Sequence, residues 1–176
     1  TFADGADIIT ASAGTSNVRV GVNAGNSIQS GGNYNTVVGD EAGTAITTAD
    51  YNTAIGYNSL SASTTGAQNT ANGYESLLTN TTGGSNTAIG MRALKLNTTG
   101  GANVALGHSA LDANTTADSN TAVGYASLGG NTTGASNTAV GRSALSANTT
   151  GAESTAVGFE AGMANTTGRI TAVGRH

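Results

Sequence analysis

The chain has no cysteine, no proline and no tryptophan, and only 9% of its 176 residues are charged. Without cysteine it cannot be a disulfide-stapled secreted module. Its low charge is also unlike that of a disordered tail, which stays unfolded because it carries many charges and few apolar residues. The chain contains 27 glycines and many small polar residues, which indicates regular structure built from short units.

Positive charge is scarce as well. Lys95 is the only lysine, the other basic residues are scattered arginines, and the formal net charge is -4. No basic stripe is present to neutralise a phosphate backbone, so we expect no nucleic-acid partner. The sequence also has no run of about 18 apolar residues and no signal region at its start, so we expect no membrane insertion in this segment and targeting signals elsewhere in a longer protein.

A five-residue phrase of the type NTAVG recurs with a fixed period. The glycines that close it fall every 17 residues from Gly39 to Gly158, with an 18-residue step before and a 16-residue step after this stretch. A unit this short buries its apolar residues only by stacking on its neighbours, and the period fits neither helical hairpins nor heptads. The sequence therefore predicts an all-β parallel β-roll, or β-solenoid, of about ten coils over residues 17–176, about 45 Å long at 4.7 Å per coil. Residues 1–16 are predicted to be a cap or the end of a preceding segment.

Each repeat is numbered here from its opening asparagine as position 1, which places NTAVG at positions 1–5, leucine at 9 and NTTG at 12–15. The asparagines at positions 1 and 12 are predicted to form hydrogen-bonded ladders along the rod, with NTTG as a turn. Six position-12 asparagines also match the N-glycosylation pattern, as a repeated NTT turn does by construction. They are Asn80, Asn97, Asn114, Asn131, Asn148 and Asn165.

The NTAVG strand carries apolar or small residues on both faces. Threonine and the branched residue share one face of the strand, and alanine lies on the other. Neither face carries a charge after the first copy, in which Arg19 takes the place of the alanine. We expect the coil interior to cover one face, with Leu60 and Ala62 pointing back from a second short strand. A 17-residue coil buries little apolar area. Sister chains are therefore predicted to cover the other face, most simply as a homotrimer around an axis.

Asn72 alone interrupts the branched column at position 4. If this column faces a threefold axis, three copies of Asn72 would form a polar layer that fixes the register. The alternative is a tolerated defect bridged by water.

Position 6 varies more than its neighbours and carries large side chains, as a contact surface for sugar or protein requires. The candidate contact residues are Tyr57, Tyr74, Met91, His108, Tyr125, Arg142 and Phe159. The alternative is that their stacking between coils only shields the rod. No catalytic constellation accompanies them, since His108 and His176 are the only histidines. We therefore expect no enzymatic activity, no metal and no cofactor, and we interpret Asp40, Glu41 and Asp50 as solvated turn residues.

The repeats resemble those of known surface fibres. Phrases such as NTAIGYNSLSASTTGAQ (52–68) and NTAVGYASLGGNTTGAS (120–136) are similar to repeats of bacterial and phage tail-fibre-like proteins, and NTAVG is similar to the head motif of trimeric autotransporter adhesins. The resemblance covers about residues 17–174 and implies a trimeric, left-handed parallel β-roll. It also implies an extracellular adhesive or spacer role, on a cell surface or a virion, with a glycan or protein receptor. The 17-residue coil and its NTTG turn depart from the autotransporter version.

Three other functions remain open. Threonine ladders on a flat solenoid can bind ice, although the NTTG threonines are adjacent and the NTAVG threonine points with a valine that we expect to be buried. Open rod ends could also stack into an extracellular filament. A polysaccharide-degrading β-helix would need paired carboxylates on one face, and the sequence offers none.

Overall fold

The computed structural model describes residues 13–175, and one sheet of ten three-residue strands runs through them. The strands are β1 Val18–Val20, β2 Thr36–Val38, β3 Thr53–Ile55, β4 Thr70–Asn72, β5 Thr87–Ile89, β6 Val104–Leu106, β7 Thr121–Val123, β8 Thr138–Val140, β9 Thr155–Val157 and β10 Thr171–Val173. No helix occurs between residues 13 and 175.

Every strand is parallel to its neighbour and paired in register with it. The sheet order follows the chain from β1 to β10, and equivalent positions face each other, as in the pair of Ala54 with Ala71. Each coil thus contributes one strand, and the chain makes about nine turns with a 17-residue period. The predicted all-β parallel solenoid is confirmed at this level.

The second strand predicted through Leu60 and Ala62 is wrong. Asn58 and Leu60 have φ values of 53° and 51°, in the left-handed region, so the chain bends here instead of extending. The Leu60 side chain is fully buried as expected, whereas Ala62 is only half-buried. The bend is held by its neighbours, since the Leu60 N–H donates to the Ser76 carbonyl of the next coil at 2.9 Å. These turns stack on each other much as the strands do.

The interior is filled by two apolar columns and their small neighbours. The leucines at position 9 are fully buried: Leu60, Leu77, Leu94, Leu111, Leu128 and Leu145. The alanines in the middle of strands β3–β9 are fully buried opposite them, from Ala54 to Ala156. Burying each leucine is worth about 1.5–3 kcal/mol, so the column is the main apolar contribution of each coil. In β1, Arg19 holds the alanine place, and its Nε donates to the Ala24 carbonyl at 2.7 Å.

The predicted boundary between a cap (1–16) and the solenoid (17–176) is only partly covered. Residues 1–12 and His176 lie outside the described residues, so the predicted cap stays a prediction.

Candidate contact surfaces

Two asparagine ladders fix the coils relative to each other and thereby align the surface columns. At position 1, the Asn86 N–H donates to Oδ1 of Asn69 at 3.0 Å, and the Asn103 N–H donates to Oδ1 of Asn86 at 3.0 Å. The same bond links each described coil to the next as far as Ser154, whose N–H donates to Asn137. The predicted ladder at position 1 is confirmed.

The ladder at position 12 runs through side chains. Nδ2 of Asn97 donates to Oδ1 of Asn80 at 2.8 Å, and Nδ2 of Asn114 donates to Oδ1 of Asn97 at 2.8 Å. These asparagines are fully buried, so an N-linked sugar would have no room at them in the folded coil. Asn165, in the last such turn, is half-buried. The geometry favours the ladder interpretation of these residues over glycosylation.

The first surface is the outward side of the sheet. We call it the Thr/Val face, and it consists of the first and last residues of all ten strands, which are positions 2 and 4 of the repeat. None of its residues is charged. In the single chain its branched side chains are partly exposed, with values of 37% for Ile55, 44% for Leu106 and 40% for Val157. The alanines between these positions point inward. The coil therefore covers the inner side of its sheet and leaves the outer side uncovered. An uncharged apolar strip that runs the length of the sheet is typical of a surface that meets a partner.

Asn72 lies on the Thr/Val face. It is exposed and paired in register between Ile55 and Ile89. Its predicted role in an axial polar layer stays a prediction.

The second surface is the column at position 6, which we call the stacked column. Tyr57 stacks on Tyr74 with ring centroids 5.7 Å apart, and His108 stacks on Tyr125 at 5.1 Å with an interplanar angle of 4°. The Arg142 guanidinium lies 5.8 Å from the Tyr125 ring and 5.3 Å from the Phe159 ring. Six of the seven candidate contact residues are therefore brought together, in two groups, and Met91 lies between the two groups in the column.

Stacking decides which parts of these side chains a ligand can reach. Because successive rings lie face to face along the rod, their faces are taken up by neighbours while their edges point outward. The tyrosines remain about half exposed, from 46% for Tyr74 to 53% for Tyr125. Ring edges, hydroxyl groups and guanidinium N–H groups are the accessible chemistry of this column.

Sequence reasoning missed two further groups. Tyr34 and Tyr51, which each precede an opening asparagine, stack with centroids 5.0 Å apart. Glu75 forms ion pairs with Lys95 at 2.9 Å and Arg92 at 3.4 Å. The signal was available, because Glu75 and Arg92 occupy position 7 of consecutive repeats.

The charged group around Glu75 continues to Asp112. The hydrogen bond from Lys95 is the main reason that the pKa of Glu75 lies below its ordinary value. Burial raises the pKa of Asp112, against the opposing effect of Arg92, Lys95 and His108. Oδ1 of Asp112 and Nδ1 of His108 are buried without a hydrogen-bond partner.

A search of residues 13–175 finds no group of three or more histidine, cysteine, aspartate or glutamate side chains placed to hold a metal ion. The same part of the chain has no helix long and apolar enough to cross a membrane.

In comparisons with known proteins, no protein-family model, no curated protein and no solved structure matches the chain.

Proposed function

We propose that this chain is the shaft or head segment of an extracellular attachment fibre, on a cell surface or a virion. Three copies pack their Thr/Val faces together around a common axis as a left-handed β-roll. The fibre then presents three stacked columns to a glycan or protein receptor, or acts as a spacer.

The observation that carries the proposal is the Thr/Val face. It extends over ten strands, has no charge at either outward position and leaves side chains such as Val140 about one-third exposed, at 37%. Covering such a strip stabilises the assembly by about 25 cal/mol per Å² of apolar surface removed from water. A sister chain has the same strand spacing along its whole length, so it can stay in register with this strip from end to end.

Three copies would also give a binding function the benefit of multivalency. Each stacked column offers only edges and single polar groups, so one contact is weak. Three parallel columns joined in one rod raise the effective concentration of the second and third contacts.

Sedimentation equilibrium tests the assembly directly. A trimer has a mass of about 51 kDa, three times the 17.0 kDa of one chain. The variant Ile89→Asp places a charge in the middle of the Thr/Val face and should yield monomers that keep their β circular dichroism. Leu96→Asp is the matched control, because Leu96 is 44% exposed but lies outside this face.

A stable wild-type monomer would contradict the trimer, and dissociation by Leu96→Asp but not by Ile89→Asp would place the interface elsewhere. Polymers of indefinite mass would favour the filament function instead.

A second function, ice binding, is favoured by one observation. The NTAVG threonine does share its face with the branched residue, but that residue is partly exposed in the single chain, not buried. The Thr/Val face therefore has alternate outward residues on an in-register sheet, as in the pairs Thr53 with Thr70 and Thr70 with Thr87. Thermal hysteresis from a monomeric protein would support this function, and its absence, together with a trimer mass, would contradict it.

A further inference from the structure

We propose that the C-terminal part of the stacked column binds the carboxylate groups of an acidic polysaccharide laid along the rod, with Arg142 as the central contact. This part consists of His108, Tyr125, Arg142, Phe159 and Arg175. The proposal rests on the glycan-binding part of the proposed function and names its ligand class. It does not require the trimer, because one chain carries all of the required groups.

Arg142 is an exposed cation that no carboxylate neutralises. Among the residues that the structure describes, Arg92 and Arg169 form ion pairs, with Glu75 and Glu153, whereas Arg142 forms none. Glu160, which follows Phe159 in the chain, forms no ion pair with Arg142 either. The guanidinium is therefore available to an external anion.

The rings on either side pre-organise this guanidinium. Tyr125 and Phe159 lie at 5.8 and 5.3 Å from its central carbon. Cation–π contacts of this kind are attractive even at exposed sites. They hold the guanidinium between two rings of the column, and a guanidinium binds a carboxylate bidentately through its N–H edge. Since the side chain is already ordered, binding costs less rotamer entropy than it would for a free arginine.

The same pattern recurs one step along the rod. The Arg175 guanidinium lies 5.5 Å from the centroid of the Phe159 ring, so Phe159 contacts two cations of the same column. Arg142 and Arg175 are two coils apart, about 10 Å at the usual strand spacing. Tyr125 supplies a phenol between Arg142 and His108. A ligand that satisfies this column is extended and carries repeated anionic and hydroxyl groups.

The surroundings favour a polysaccharide over a folded protein. The column is one residue wide, and the adjacent position 7 carries the small residues Ser109, Ala126 and Ser143 beside His108, Tyr125 and Arg142, with Glu160 beside Phe159. A stable protein interface needs about 1,200 Å² or more and buried aromatic anchors. Here the ring faces are already in contact with a neighbouring ring or guanidinium group. For the same reason a neutral sugar finds no open ring face to stack on, so the acidic group supplies the specificity.

The test uses polygalacturonate fragments as the acidic probe and dextran as the neutral one, with isothermal titration at low salt. Arg142→Gln should weaken polygalacturonate binding about tenfold, the loss expected for one charge-assisted hydrogen-bonded pair. Arg142→Lys should also weaken it, because an ammonium lacks the planar fork. The matched control is Arg169→Gln, which removes the same charge from another column and should change affinity less than about twofold.

Equal losses in Arg142→Gln and Arg169→Gln would overturn the proposal, since they indicate unspecific attraction to net charge. Absence of polygalacturonate binding, or equal binding of dextran, would overturn it too. Equal binding of poly-glutamate would replace the polysaccharide with an acidic peptide. Sedimentation mass measured on the same samples separates the two proposals, because a trimer that binds nothing refutes only the ligand and a monomer that binds refutes only the trimer.

Discussion

Asn86 and Asn97 donate their side-chain amides to the same acceptor, the carbonyl oxygen of Gly100, each at 2.9 Å. The strand and the NTTG turn of one coil are thus tied at a single buried point. Both asparagines also bond to the preceding coil, through Asn69 and Asn80. The same shared acceptor recurs at Gly83, Ala117 and Gly151. Buried polar nodes of this kind therefore add to the cohesion that a larger core would obtain from apolar packing.

Asn97→Ala should break this node. It removes one of the two donors to Gly100 and the acceptor that lies 2.8 Å from Nδ2 of Asn114. It also leaves the buried Oδ1 of Asn80 without its donor. We expect a loss of about 1–3 kcal/mol in the free energy of unfolding, measured by urea denaturation. Asn26→Ala is the control, because Asn26 is exposed and its side chain makes one long bond of 3.5 Å to Asn23. Equal losses in the two variants would refute the structural role of the node.

Ser63→Asn should repair a gap in the same ladder. Ser63 occupies position 12, its hydroxyl makes a weak 3.4 Å bond to the Gly66 carbonyl, and Nδ2 of the next asparagine, Asn80, bonds only to Gly83. An asparagine side chain here offers Asn80 the missing acceptor, so we expect the free energy of unfolding to rise by about 0.5–1.5 kcal/mol. Thermal unfolding measures it, with Ser63→Ala as the size control. A lower melting temperature for Ser63→Asn would contradict the prediction.

Gly90→Ala should prevent normal stacking of two coils. Gly90 has a φ of +128°, and a Cβ there would lie 2.7 Å from the carbonyl oxygen of Gly107. Gly174 has a φ of +114° with nothing within 4 Å of the same point, so Gly174→Ala carries only the backbone cost. We expect the free energy of unfolding to fall by about 1–3 kcal/mol in Gly174→Ala, from backbone strain alone, and by more than about 4 kcal/mol in Gly90→Ala. Similar unfolding midpoints for the two variants would show that the contact between coils is unimportant.

The pH dependence of stability should respond in opposite directions to two carboxyl variants. The pKa of Glu75 is lowered, chiefly by the hydrogen bond from Lys95, so its ionised form stabilises the fold. This contribution is fully present above the ordinary pKa of 4.5 and is lost as the pH falls through the pKa of the folded state. The pKa of Asp112 is raised by burial, so its ionised form destabilises the fold at neutral pH and the penalty fades as the pH falls towards 3.8.

Glu75→Gln should therefore be less stable than the wild type at pH 7, and Asp112→Asn more stable. The difference for Glu75→Gln should shrink only as the pH falls below 4.5, through the lowered pKa of Glu75, whereas the difference for Asp112→Asn should already be lost when the pH has fallen to 3.8. Urea midpoints at several pH values measure the effect. Shifts of the same sign at pH 7 would contradict the assignment.

The period alone predicts the parallel sheet, the buried leucine and alanine columns and the asparagine ladders, because stacked copies must place like residues together. The second strand fails for a local reason. The alternation of Leu60 and Ala62 is compatible with an extended chain, but Leu60 adopts a left-handed backbone conformation. Leucine rarely adopts this conformation, so the residue type gives no sign of it. Only the stacked neighbours, which bond the turn backbone, make this conformation tolerable.

The contact surfaces are partly predictable in the same way. A variable column of large side chains identifies the residues at position 6, but not their order of stacking. Met91 separates Tyr74 from His108, whereas the Arg142 guanidinium links Tyr125 and Phe159 by two cation–π contacts. The ion pairs of Glu75 depend on how far Lys95 reaches across coils, which spacing alone does not determine.

Each strand pairs only with those of the coils just before and just after it in the chain. Duplication or deletion of one whole repeat in the gene would therefore rejoin two equivalent coil surfaces and leave every other bond intact. Rod length is in this sense a quantity that selection can adjust in single steps of about 4.8 Å, without redesigning the interior.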